Sequence, residues 1–281
     1  MKSFDFNKND RERRKERVKD LNSFKKVTKS LQEIEDLYQR ISLLQTFNGT
    51  IFIATANNKK CILDTALLDS SIETLESIKG CLQYGSLSDA YALIRKFRDQ
   101  SLMFLYFLAI VKRNAYPDEN YDKHFEYLFD WYNSKIGFID FDQMFKYLKS
   151  DPDVHKIIDK YGLQNNWETL RHKLNDYVHV KGVDNAYANY KRNYDLSSGF
   201  EKVDKNLKYL SVYFLSLLLI IDSTMVMSTD YIDHMEMGMT PPEGSQYNIA
   251  PSIQEFINQY LKSYDNDLVN FIRQSSIMEI N

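Results

Sequence analysis

Along most of this chain apolar residues return every three or four positions, the period of a helix with one buried face. Arg11 to Leu44 reads as one long charged helix, basic at first (RERRKERVK) and then amphipathic (LQEIEDLYQRISLL). Leu63–Leu82 and Ser88–Val111 read as a helical hairpin, with Gly85 to Asp89 as the turn and Ser88 as N-cap. Asn114 to Asn120 is a loop around Pro117, Tyr121–Trp131 is helical, and Gly137–Asp142 (GFIDFD) breaks the pattern. Asp151 caps a short helix that opens on Pro152, runs to Tyr161 and stops at Gly162. Asn166 caps the next helix, which Gly182 ends. Ala186–Asp204 is polar and reads as a loop or a short helix. Asp233–Pro251 reads as a Met-rich loop, followed by two short amphipathic helices, Ser252–Ser263 and Asn266–Gln274.

Composition narrows this to an all-α helical bundle. With 9 Gly and 5 Pro in 281 residues, the chain lacks the turn residues a β-rich protein needs. Three segments follow: a charged helical arm (1–48), the bundle (49–228), and the Met-rich loop with C-terminal helices (229–281). Tyr209–Ile221 is almost wholly apolar, but its thirteen residues fall short of the ~20 a spanning helix needs. It is therefore expected to be a central buried helix rather than a membrane segment. Cys61 and Cys81 stand alone without a CxxC pair, which points to a reduced, cytoplasmic protein with neither a zinc site nor a disulfide framework. The net charge of −3 supplies no general field for nucleic acid, so an RNA-acting protein would need a local basic patch.

The stretch Trp167–His179 carries the chemistry. At helical spacing Trp167, Leu170, Leu174, Tyr177 and Val178 take one side. His172, Asn175, Asp176 and His179 take the other, with Arg171 at the border. Two of the five histidines of the chain thus share a stripe with a guanidinium, a carboxylate and an amide. Imidazoles titrate near neutral pH, and Asp176 is spaced to orient either one. The set suits cleavage of RNA by its own 2′-hydroxyl: one imidazole takes the proton, another protonates the leaving oxygen, and the guanidinium steadies the phosphate. No metal or cofactor enters.

This stripe resembles the signature of the HEPN superfamily, helical bundles that include metal-independent ribonucleases of toxin–antitoxin and phage-defence systems. That motif joins an arginine, often followed by a polar residue, to a histidine across roughly four to six positions. Asn175-Asp176-Tyr177-Val178-His179 resembles its polar approach to the histidine, and Ser88–Leu108 (SDAYALIRKFRDQSLMFLYFL) resembles a preceding helix of HEPN-like abortive-infection proteins. The resemblance spans Leu63 to Ile221. The departure is in the arginine: seven residues separate Arg171 from His179, and His172, Lys173 and Leu174 stand where the arginine is expected. Arg171 or His172 takes its place, or the site is inactive. The resemblance implies a homodimer whose two motif helices face one cleft, an RNA substrate, and an antitoxin or other defence-system partner. In it His179 is the general acid/base, His172 the second proton carrier, Arg171 the phosphate ligand, and Asp176 and Asn175 orient the imidazole.

Elsewhere Arg95, Arg98 and Asp99 share a helix face, either as a buried ion pair or as a phosphate-holding surface of the same cleft. The basic arm suits an RNA backbone or a solvated face. His234, Met235, Met237 and Met239 suit an adaptable contact surface better than soft copper ligation, and Asp140 and Asp142 lack the pattern of a calcium loop. No Gly-rich phosphate loop, HExxH or Ser-His-Asp set is present. The competing reading is a non-catalytic helical interaction or regulatory subunit.

Overall fold

The computed structural model describes residues 3–47, 52–56, 59–114, 123–137, 139–189, 195–241, 249–276, 278 and 280, with side chains from 11–46 and from 63 onward. It is an all-α protein with one small antiparallel hairpin. In order, the elements are α1 (Ser3–Lys19), α2 (Asn22–Phe47), β1 (Phe52–Ala56), β2 (Lys59–Leu63), α3 (Ala66–Gln83) and α4 (Leu87–Arg113). Then come α5 (Lys123–Tyr132), α6 (Phe141–Leu148), α7 (Pro152–Lys160), α8 (Leu163–Val178), α9 (Val183–Tyr187) and α10 (Leu196–Ile221). A 3₁₀ turn (Ser223–Val226), α11 (Thr229–Glu236), α12 (Pro251–Phe256), a π turn (Ile257–Leu261), α13 (Lys262–Tyr264) and α14 (Asn266–Ser275) complete the chain. The chain forms two compact units, residues 1–36, 70–99 and 165–211 in one, and 37–69, 100–164 and 212–281 in the other.

Local chemistry accounts for the departures from the sequence pattern. The expected single helix from Arg11 to Leu44 is two helices, broken at Asp20-Leu21, where Leu21 N–H bonds back to Val18 O at 3.0 Å. Asp20, Asn22 and Ser23 cluster there, and their short polar side chains compete with helical hydrogen bonds. The hairpin pairs Phe52 with Leu63 through Ala56 with Lys59, and lies between segments whose helical period is strong. Helix α6 stands where the GFIDFD break was read, because Asp140 caps it: its Oδ1 accepts from Asp142 and Gln143 N–H at 2.9 and 3.3 Å. That bond gives Asp140 a structural task, and Asp142 accepts from Gln164 at 3.0 Å. The Asp151 cap and Pro152 start of α7 are as expected. Ala186–Asp204, read as a loop or a short helix, holds the end of α9 and the first two turns of the long helix α10. Residues 233–236 of the expected Met-rich loop finish α11. The loop around Pro117 lies outside the described residues apart from Asn114.

In the second unit the apolar halves of α4 and α10 make the core. Val212 to Leu219 is buried throughout, as a helix apolar on all sides requires. Tyr38 stacks on Phe214 with centroids 4.6 Å apart, and its hydroxyl meets that of Ser101 at 2.7 Å. Among the described residues no helix is long and apolar enough to cross a membrane.

The first unit packs α1, α3, α8, α9 and the adjoining halves of α2, α4 and α10. Its α3–α4 turn uses Gly85 at a φ of 66°, with Leu196 and Val18 close by. Helix α4 starts one residue before the expected cap Ser88, and its cap comes from far along the chain. Asn189 Oδ1 accepts from Ser88 N–H at 2.8 Å and from Asp89 N–H at 3.4 Å, while Asn189 Nδ2 donates to Asp89 Oδ1 at 3.1 Å. Arg14 donates to the Asn189 carbonyl.

The same unit holds a proton-sensitive contact between α2 and α3. Lys79 Nζ lies 3.8 Å from Glu35 and 3.1 Å from Glu76. Burial first, then the hydrogen bond with Glu76, pushes the Glu35 carboxyl up to about 7. The bonds from Lys79 and Glu35 hold Glu76 below its ordinary value. An unfolded glutamate loses its proton near pH ~4.3, so between there and pH ~7 folding must retain a proton the unfolded chain releases. Stability from Glu35 is therefore present at low pH and is lost as pH rises through that window, while that from Glu76 is lost on acidification. Replacing Glu35→Gln is expected to remove the decline between pH 5 and 8, on the order of 1 kcal/mol, read from urea midpoints. Parallel declines in both proteins would contradict the assignment.

Candidate functional site

Helix α8 holds the candidate residues, and its capping decides their geometry. It begins at Leu163, directly after the Gly162 turn, so Asn166 lies within the helix rather than capping it. It ends at Val178, earlier than Gly182. Val180 N–H bonds to Tyr177 O at 3.2 Å, and Lys181 N–H to Asp176 O at 2.8 Å. This left-handed closure places Val180 at a φ of 47°, where glycine is favoured and a β-branched side chain is strained. Val180 is also exposed, so nothing is packed against it in exchange. Val180→Gly is expected to stabilise the protein by about 1 kcal/mol, read as a raised urea midpoint. A lowered midpoint would mean the valine is serving a contact.

His179 is the last residue before that closure, with its N–H on Asn175 O at 2.9 Å and its imidazole exposed. His172 is exposed two turns earlier on the same face, 3.7 Å from Glu168. Asp176 turns to Lys181 at 3.4 Å. Thus the two imidazoles share a face, but each carboxylate near them meets another partner or only one of them. Asn175 is half-buried, and its Oδ1 has no hydrogen-bond partner among the described residues. Buried polar atoms rarely remain so.

Arg171 lies at the edge of the stripe, near enough to α4 for its charge to act on Arg98. There it joins Arg95 and Arg98. Arg98 is 1% exposed, donates to Trp167 O at 2.8 Å and pairs with its neighbour Asp99, which Arg95 reaches at 3.9 Å. Burial pulls the Arg98 pKa down, Asp99 pulls it back up, and the charges of Arg171 and Arg95 depress it further. The ion-pair reading therefore describes Arg98. Arg95 and Arg171 are half-buried, and the Nε of Arg95 is buried without a hydrogen bond among the described residues. Two arginines thus share the carboxylate of Asp99, and the charge of Arg171 acts on one of them.

The other flank of α8 borders a groove of about 630 Å³ formed with α4, α9 and α10. Lys173, Lys202 and Lys205 line it, as do Tyr91 and Tyr177. The sequence pattern did not join Lys202 and Lys205 to α8, because the start of α10 read as a loop or a short helix; the signal was the spacing of Lys202, Lys205 and Tyr209 on one helix face. Among the described residues no group of three histidine, cysteine or carboxylate side chains could hold a metal ion. His234 bonds back to Asp230 O at 2.7 Å, and Met235, Met237 and Met239 are exposed. Comparison with family models, with curated proteins and with solved structures finds no match to this chain.

Proposed function

We propose that this protein is a HEPN-like, metal-independent endoribonuclease acting as a toxin or abortive-infection effector in the bacterial cytoplasm. The observation that carries the reading is the arginine cluster at the edge of the α8 stripe. Arg171, Arg95 and Arg98 against Asp99 leave two positive charges in excess. An RNA phosphate neutralises them, and the exposed imidazoles continue along the same helix. His179 takes the 2′-hydroxyl proton, the 2′-oxygen bonds to phosphorus, and the bond to the 5′-oxygen breaks as His172 supplies a proton. Arg171 steadies the charge on the phosphate. Asp176, held by Lys181, orients the end of the helix more than an imidazole. A second copy of the chain, its α8 facing the first, brings further imidazoles and arginines to one phosphate.

The second reading, a non-catalytic interaction or regulatory subunit of a defence or toxin–antitoxin system, draws on the pairing of His172 with Glu168 and of Asp176 with Lys181. Purified protein incubated with RNA in a metal chelator separates the two. New fragments ending in 2′,3′-cyclic phosphate support the nuclease. Intact RNA at stoichiometric protein supports the binding subunit.

A further inference from the structure

We propose that the groove on the other flank of α8 is a nucleotide-binding site, engaging a phosphate with lysines and a base with tyrosine. It goes beyond the nuclease reading, because Lys173 lies on nearly the opposite side of α8 from Arg171, about 160° round the helix. Three observations support it. The volume of about 630 Å³ falls in the range of small-molecule sites, ~300–1,000 Å³. Lys173 on α8 and Lys202 and Lys205 on α10 line one space, in a chain whose net charge is −3. The carboxylate among the lining residues is Asp176, which Lys181 already engages at 3.4 Å. No ion pair joins these three lysines to a described carboxylate. Like charges so placed repel, and a bound polyanion relieves that repulsion.

The third observation is the wall between the cations. Tyr91 and Tyr177 lie with ring centroids 4.4 Å apart. Tyr91 is buried, and its hydroxyl donates to Gly199 O at 3.2 Å, which fixes its ring. Tyr177 is half-exposed and offers a ring face for stacking a planar base. Asn206 adds an amide on the α10 wall for a base edge. A phosphate-bearing ligand without a ring would leave this wall unused. The same unit of phosphate and base belongs to a free nucleotide or to one residue of a strand.

The test is a calorimetric titration of the full chain with ATP, with inorganic pyrophosphate, and with a ten-residue deoxythymidylate, which has no 2′-hydroxyl and so resists the proposed cleavage. ATP is expected to bind more tightly than pyrophosphate. The Lys202→Glu, Lys205→Glu double variant, at exposed positions, is expected to weaken binding by at least about tenfold. Tyr177→Leu weakens ATP while sparing pyrophosphate, and Lys156→Glu, on exposed α7, changes nothing. Lysine-sensitive binding of ATP without the oligonucleotide assigns a free nucleotide; binding of the oligonucleotide with the same sensitivity assigns a strand. No binding of any probe, binding indifferent to the double variant, or pyrophosphate held as tightly as ATP would overturn the proposal. Because the strand cannot be cleaved, none of these results depends on nuclease activity.

Discussion

Arg98→Ala is expected to lower the stability of the protein by about 3 kcal/mol, among the largest effects of any single change. Arg98 is one of the largest fully buried side chains in the structure. Its loss leaves the Trp167 carbonyl without the donor at 2.8 Å and opens a void in a region where Trp167 is also fully buried. Asp99 is partly exposed, so water rehydrates part of that carboxylate and keeps the penalty below that of a wholly buried pair. Arg95→Ala, whose guanidinium is nearer solvent, is expected to cost less than ~1 kcal/mol. Urea unfolding of both variants checks the contrast. Equal, small losses would show that Arg98 is not a structural strut and would return it to the list of groups available for phosphate.

His179→Ala is expected to reduce RNA cleavage by ~10²–10⁴-fold, the range that proton transfer by a positioned side chain supplies. Stability should hardly change, because the imidazole is exposed and only its backbone N–H closes the helix. Asp176→Asn should cost far less activity, since that carboxylate faces Lys181. Rate and unfolding midpoint measured on the same preparations separate a catalytic loss from a folding one. A cleavage rate untouched by His179→Ala would remove the imidazole from the chemistry.

The all-α class was legible from the periodicity and from the scarcity of glycine and proline. So were the α3–α4 hairpin, the α7 cap and the burial of Leu210–Leu219 within the apolar run, since each depends on residues adjacent in sequence. The cap of α4 was not, because Asn189 reaches it from 100 residues away. The end of α8 was misplaced at Gly182 because Val180 takes the left-handed position that sequence reserves for glycine. The polar stripe was legible as a face of one helix. That the charge of Arg171 acts on Arg98 while the imidazoles are exposed follows from packing against α4, which no spacing on α8 reports. The groove needed α8 and α10 side by side before its lysines could be counted together.

Cleavage of RNA by the imidazole face of α8 is the core of the proposed function. It is tested most directly by inducing wild type and His179→Ala side by side, following growth, and mapping new ends in total RNA. Growth arrest with new RNA ends is expected in the wild type, and neither in the variant. Equal growth and intact RNA from both, with each protein folded and abundant, would contradict it and leave a protein that works by binding.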